Sequence, residues 1–423
     1  MDPTFLTRVV IENYKSIAAC DVRLGPLTFL VGPNGAGKSN FLDALCFVSD
    51  SLRTSLDLAL LSRGGVDSVI RFHEPGELPH AMGIRLEFRD PAGSWAGHYA
   101  CRLARTGTSS YSLLREEGRV DRGPEREDAF VVTYESRRAH LVWRHGEREG
   151  QAWFRASQGQ LHLGQIQAVL SPAEVPQFEE MARLLREMRC YNIVPEQLRK
   201  AQAPDPRGGA ILNPNADNIA AVLARVEHAA PDVLRHLDAF LQQIVPGVIS
   251  ARGVESPPYE TVAFRQQFLS GDPQRLVYAT NMSDGTLRAL GVLTALFQPG
   301  SAEDPIPVVG IEEPEAALHP AAAGLLLDAI RWASTTRQVL ITSHSPDLLD
   351  DKEIGTDQLL AVRLEAGATR IGPVDEVGRE LLRDHLYTAG EALRQDLLQP
   401  EALLTGGSEI FTESLSGFLA DEG

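Results

Sequence analysis

Lysine is nearly missing from this 423-residue sequence: four lysines stand against 36 arginines, a composition bias without functional meaning. Cysteine is as scarce. Cys20, Cys46, Cys101 and Cys190 are scattered, with no CxxC and no nearby histidine pairing. That pattern argues against zinc and reads as reduced, mostly buried thiols of a cytoplasmic protein. No run approaches the roughly 18 uninterrupted apolar residues of a membrane-spanning helix, so no membrane contact is expected. The start, "MDPTFLTRVVIENYKSI", lacks a basic segment followed by an apolar block and a small-residue cleavage site, so no secretory signal is read. Internal repeats and sustained heptads are missing too, which excludes a long coiled coil. Positive charge is in deficit, with 57 acidic against 40 basic side chains and a net of −17. A surface coated all over with nucleic acid is therefore not expected.

What is present is an ordinary globular composition, 43 % hydrophobic and 23 % charged, on a chain long enough for two or more packed units. The charge is uneven. From Asp375 to Gly423 there are eleven acidic and three basic side chains; between Cys101 and Arg155 eleven arginines face nine acids. A local basic surface remains open there, with Arg137, Arg138, Arg144 and Arg148 as its candidates and a solvated sheet edge as the plainer alternative.

Periodicity divides the chain into five parts. Residues 1–65 read strand, strand, strand, helix ("FLTRVVIEN", "AACDVRL", "LTFLVG", "KSNFLDALCFVSD"). Residues 66–170 carry short alternating segments, "IRLEF", "HYACRLA", "SYSLLRE", "FVVTYES", "HLVWRHG", "AWFRAS" and "QLHLGQI", which predict an antiparallel β lobe. Residues 171–247 turn helical ("QFEEMARLLREM", "NIAAVLARVEHAAPDVLRHLDAFLQQI") around a Pro/Gly-rich loop, "QAPDPRGGAILNPN". Residues 248–373 return to strands and helices, ending in a hairpin at "LLAVRLEAGATRIGPV"; acidic helices and a tail occupy 374–423.

Three strand ends carry chemistry. "GPNGAGKS", Gly32 to Ser39, fits G-x-x-x-x-G-K-[ST] between a buried strand and a helix, the context that makes a phosphate loop credible. Gly35 and Gly37 let successive N–H groups point inward, Lys38 reaches the β- and γ-phosphates, and the Ser39 hydroxyl suits Mg²⁺. With Asn34 and Asn40 these residues form the expected ATP-contacting set. "VVGIEEPEAALHP" runs an apolar strand into adjacent carboxylates, whose side chains point to opposite faces. Glu312 is assigned to Mg²⁺ and Glu313 to the attacking water. "VLITSHS" ends in His344, placed to hydrogen-bond the γ-phosphate. "NMSDGTLRAL" opens a helix with Ser283 and Gly285, an anion site by its free N–H groups and dipole.

Together and in this order, "GPNGAGKSN", "NMSDGTLRAL", "IEEPEAALHP" and "ITSHSPDLL" resemble the ATPase core of the ABC superfamily, in its RecF/SMC/OLD-type branch. The resemblance implies an α/β P-loop NTPase with an ABC-type head: a mixed sheet flanked by helices, with a β-rich and helical insertion between Walker A and the signature motif. "VVIENYKSI" is similar to the branch's first strand and turn, where Lys15 approaches the nucleotide. "MSDGT" corresponds to the signature usually read LSGGQ, with Asp284 and Thr286 departing from it. Walker B ends Glu-Glu where many relatives have Asp-Glu, and His319 replaces the aspartate of the D-loop. Gln165 is the candidate for the glutamine loop. By this resemblance Ser283 and Gly285 of one subunit cap the γ-phosphate held by Lys38 of another, so two copies sandwich two ATP molecules head to tail.

Three roles follow for such a switch. One is an ATP-gated homodimer, with higher oligomers open, that controls a separately encoded effector in phage defence. Another is a RecF-like repair ATPase that clamps DNA. The third, a transporter's nucleotide-binding subunit, fits poorly with the long insertion and the "IENYKSI" start. Only about 75 residues follow Asp347 and none form a DxD motif, so the Toprim nuclease of OLD-type relatives is not expected.

Overall fold

The computed structural model describes residues 3–71, 81–90, 92–107, 109–122, 127–135, 138–145, 148–155, 159–164, 176–267, 273–300 and 305–401. Gln165, Arg137 and the end of the acidic tail lie outside them.

The chain opens with β1 (Leu6–Tyr14), β2 (Ile17–Arg23), β3 (Leu27–Val31), α1 (Lys38–Arg53), α2 (Leu56–Leu61) and α3 (Val66–Val69). A meander follows: β4 (Ala81–Arg89), β5 (Ala96–Gly107), β6 (Ser110–Asp121), β7 (Glu127–Glu135), β8 (Arg138–His145) and β9 (Arg148–Arg155). Next come α4 (Pro176–Arg186), β10 (Arg189–Tyr191), α5 (Pro195–Arg199), α6 (Ile219–Ala229) and α7 (Pro231–Ile244). A small sheet of β11 (Val248–Ser256), β12 (Tyr259–Gln266) and β13 (Arg275–Tyr278) leads to α8 (Asp284–Phe297). The chain returns through β14 (Val308–Glu312), α9 (Ala323–Ser334), β15 (Gln338–Ser343), β16 (Leu359–Glu365), β17 (Ala368–Pro373), α10 (Glu376–Arg383) and α11 (Ala389–Arg394).

One large mixed sheet, in the order β10-β14-β15-β3-β16-β17-β2-β1-β4-β5-β6-β7-β8-β9, runs through the molecule. Its parallel part, β10 to β16, is buried on both faces, which is why β3 (LTFLV) and β15 (QVLITS) are buried at every position. Alternation sorts their side chains. Leu30, Val308 and Leu340 join Phe41, Leu42 and Leu45 of α1 in one apolar cluster. Phe29, Val309, Ile311, Val339 and Ile341 join Leu290, Leu293, Leu326 and Ile330 of α8 and α9 in the other. Beyond β1 the meander is antiparallel, and α4 closes its inner face with Phe178 edge-on to Phe130 at 5.0 Å.

Four local expectations are corrected. Cys46 and Cys190 are not both reduced thiols. They form a disulfide, because α1 and β10 run side by side and bring their Cα atoms to 6.3 Å across a separation of 144 residues; Cys20 and Cys101 are free and buried. The stretch read as helical holds β10, which pairs parallel with β14 and so belongs to the central sheet. β11, unforeseen, pairs with β12. "QLHLGQI" is not a strand over its described residues, Gln160 to Gly164. The amides of His162 and Leu163 donate to the buried Glu116 carboxylate, both at 2.7 Å, so that a tight turn replaces ladder pairing.

The two halves of the sheet are tied by Gln338, which is fully buried at the start of β15. Its side chain accepts from the Leu6 amide and donates to the carbonyls of Leu6 and Gly25, each at 2.8 Å. Gln338→Ala strands these buried backbone groups and leaves a cavity. We expect a loss of about 3 kcal/mol in denaturant unfolding; an unchanged midpoint contradicts this role.

Candidate nucleotide site

Three parallel neighbours end together. In the β14–β15 pairing Glu312 lies opposite Thr342, and in the β15–β3 pairing Ser343 lies opposite Val31. The next residue on each strand is Glu313, His344 and Gly32. The phosphate loop, the paired glutamates and the histidine therefore open on one edge, outside the carboxyl ends of the strands, where open α/β sheets hold ligands.

The loop is built for this. Gly35 and Gly37 adopt left-handed φ of 74° and 102°. At Gly37 a side chain has no room, since a Cβ there lies 2.2 Å from Thr369 Oγ1. Thr369, on β17, donates to the Ala36 carbonyl at 2.8 Å and meets Ser16 Oγ at 2.7 Å; Asn40 Nδ2 donates to Ser16 Oγ at 2.6 Å. The loop is thus braced by the first turn of the chain and by the final hairpin. Asn34, Gly35 and Ser39 are exposed at its rim, where α1 begins and its free N–H groups favour an anion.

Lys38 is 5 % exposed, and its Nζ donates to the carbonyls of Gly32 at 2.8 Å and Pro33 at 3.0 Å. Burial pushes its pKa below the usual lysine value against the pull of Glu313 and Glu315. Burial raises the Glu312 carboxyl; the hydrogen bond with Ser39 opposes this, and the charges of Asp43 and Glu313 add to it. A hydroxyl meeting a carboxylate is a hard-oxygen donor pair of the kind Mg²⁺ selects, so these residues fit that ion. Glu313 sits at φ 42° with its N–H on Thr342 O at 2.9 Å, and its Oε1 lies 3.0 Å from His344 Nδ1. Lys15 is held at the border of the site by Asp43, at 2.5 Å. Asp43 also accepts from Tyr14 at 2.7 Å and Arg63 at 2.8 Å. Burial works against the Asp43 charge, but Arg63, Lys15 and Tyr14 hold its carboxyl below the usual range.

Ser283 and Gly285 open α8, and among the described residues neither is hydrogen-bonded to the phosphate loop, residues 32–40. Ser283 caps α8: its Oγ accepts from Thr286 N at 3.2 Å and meets Thr286 Oγ1 at 2.8 Å.

Sequence reasoning missed two buried charges. Arg288, inside the apolar run "TLRALGVL", donates to the carbonyls of Ile193, Glu312 and Glu313. Glu315, the third carboxylate of "EEPE", accepts from Ser343 Oγ at 2.5 Å and leaves Oε2 buried without a partner. A charged residue in an apolar run was the available signal in the first case; in the second, carboxylate crowding.

Burial raises the Glu315 carboxyl above its ordinary 4.5, against the Ser343 hydrogen bond. The folded protein then keeps this proton longer than the unfolded chain. Stability carried by the protonated form is complete below about pH 4.5 and is lost as pH rises through the folded-state value. Glu315→Gln removes that loss. We expect the variant to be more stable than the parent at neutral and higher pH, and the two to converge below about pH 4.5 in denaturation midpoints. Parallel curves across that range contradict it.

Residues 27–350 match the family described as "AAA domain, putative AbiEii toxin, Type IV TA system". The DNA replication and repair protein RecF of Aliivibrio fischeri is 30 % identical over 139 residues, covering 30 % of this chain and 38 % of that protein. The RecF protein of Vibrio parahaemolyticus is 44 % identical over 138 residues, with the same coverage. The match thus spans 38 % of these relatives' length. Among solved structures, an SMC head bound to the C-terminal winged-helix domain of ScpA superposes with a TM-score of 0.52 at 16 % identity, covering 87 % of this chain and 96 % of that one. An SMC head with an extended coiled coil from Pyrococcus furiosus gives 0.51 at 13 %, covering 90 % and 99 %. At those identities the likeness is one of fold. Since one family match takes in residues 27–350, the chain belongs to this AAA-domain family, and its fold is similar to that of SMC ATPase heads.

Proposed function

We propose that the protein is an ATP-hydrolysing switch in which two copies close head to tail around ATP, and that it acts in the cytoplasm on a separately encoded effector in phage defence. The observation that carries this reading is a division of parts. Lys38, the Ser39–Glu312 pair and the Glu313–His344 pair gather at one sheet edge, while the Ser283 hydroxyl is spent on its own helix cap.

Lys38 has two carbonyl partners to exchange for phosphate oxygens, and the loop amides and α1 dipole add to the anion's hold. Ser39 and Glu312 would hold Mg²⁺, which would supply positive charge against the phosphates. Glu313 takes the proton of the attacking water. His344, on the same carboxylate through Nδ1, fixes its direction and presents its other ring nitrogen to the γ-phosphate. Ser283, Gly285 and the α8 N-terminus cap that phosphate from the second copy, so ATP joins the two and hydrolysis parts them. The family's description, with its reference to a type IV toxin–antitoxin system, fits a protein that works in a two-component system. The Cys46–Cys190 disulfide removes the cysteine argument for a reducing compartment. No helix of the described residues is long and apolar enough to cross a membrane.

A second reading, a DNA-binding repair ATPase, draws on the RecF relatives and on β8 and β9. Arg138 and Arg148 are exposed there and Trp153 is 55 % exposed beside His140, although Arg144 is engaged by Glu149 at 2.6 Å. Duplex binding that rises with ATP and falls steeply with salt favours it; salt-insensitive or absent binding removes it.

The test of the switch is Glu313→Gln. We expect this variant to bind ATP, to hydrolyse it about 100-fold or more slowly, and to elute as a dimer with MgATP and a monomer without it. A variant saturated with ATP yet monomeric at micromolar concentration contradicts the scheme.

A further inference from the structure

Arg288 is 8 % exposed among apolar neighbours on α8, and burying a guanidinium is costly unless its donors are met. They are met by backbone carbonyls: Nη1 donates to Ile193 O at 2.6 Å, Nη2 to Glu312 O at 3.0 Å and Glu313 O at 2.7 Å, and Nε to Glu313 O at 3.2 Å. A helix that only needed to fill the core would carry a leucine there. Instead one side chain fixes the peptide units on both sides of the Glu313 Cα–N bond.

That peptide needs holding. At φ 42° Glu313 occupies the left-handed region, which is unfavourable for a residue with a side chain unless its surroundings impose it. Thr342 O takes its N–H at 2.9 Å and Arg288 takes its C=O, so both ends are gripped and the carboxylate is aimed at His344. A second contact joins the same elements. Gly285 lies against the Ala317 carbonyl so closely that a Cβ would stand 2.6 Å from it, and Ala317 is itself at φ 64°. The first turns of α8 therefore touch residues 312–317 twice, through Gly285 and through Arg288.

We propose that Arg288 is a positioning residue for hydrolysis: it holds the Glu313 backbone in its left-handed geometry and couples the Ser283 end of α8 to that carboxylate. This rests on the reading of Glu313 as the group that activates water. It implies that the α8 cap in one copy, when it engages the triphosphate of the other, bears directly on its own copy's Glu313.

Arg288→Lys keeps the charge but cannot serve three carbonyls in a plane. On the full chain, three quantities are read: amide hydrogen exchange at residues 313–318 without nucleotide, ATP affinity, and kcat at saturating ATP. We expect exchange to rise about tenfold in that segment but not in β3 or β15. ATP affinity should stay within about threefold and kcat should fall about 30-fold, the split of a misaimed group. In the Glu313→Gln background the substitution should cost nothing more, because both act through one carboxylate. Arg288→Gln, which buries no charge, carries the same measurements should the lysine variant fail to fold. Unchanged exchange, an unchanged kcat, or losses that multiply in the double variant overturn the proposal. If the parent protein does not hydrolyse ATP, the switch reading falls, and exchange at 313–318 alone decides whether Arg288 holds this segment.

Discussion

The parallel pairing of β14, β15 and β3 is the constraint on which the rest of the molecule depends. With Glu312 opposite Thr342 and Ser343 opposite Val31, the polar residues that follow each strand must emerge side by side. A shift of one residue in either pairing would turn the side chains packed on α1 toward α8 and α9, and the reverse, and send these groups to different levels. The register is secured by apolar side chains on both faces, clasped by α1 on one side and by α8 and α9 on the other. Site geometry and core packing are here one problem.

The surrounding structure holds the loop still. Thr369 and Ser16 brace it from behind, and Gln338 locks β1 to the start of β15. Asp43, one helical turn after Ser39, collects Lys15, Tyr14 and Arg63 and keeps a negative charge beside Glu312. Three of these hydrogen bonds span more than 300 residues of sequence. They explain how a chain with a long insertion between its phosphate loop and its signature turn can still close one compact site.

The strands that carry chemistry were legible because parallel strands buried on both faces leave unbroken apolar runs, as in "LTFLV" and "VLITS". The glycine loop was legible because its backbone demands leave few residue choices. What escaped was decided at a distance. β10 is three residues long and has no period to read; it is a strand because β14 is beside it. Cys46 and Cys190 look unrelated until α1 and β10 are adjacent. "QLHLGQI" alternates as a strand should, yet Glu116 claims its amides. Arg288 could be noticed as a charge in an apolar run, but its carbonyl partners lie on two other segments.

Mixing two inactive variants decides whether a working site draws its parts from two copies. Lys38→Ala removes the buried loop lysine, and Ser283→Ala removes the hydroxyl at the start of α8. Each homodimer then lacks a complete site, whereas a heterodimer pairs the intact lysine of one chain with the intact serine of the other. We expect negligible ATPase from either variant alone and, on mixing equal amounts, recovery to about a quarter of the parental rate, since half of random dimers hold one whole site of two. A Ser283→Ala protein that turns over ATP as fast as its parent, or a mixture no more active than its components, would contradict a site shared between two copies.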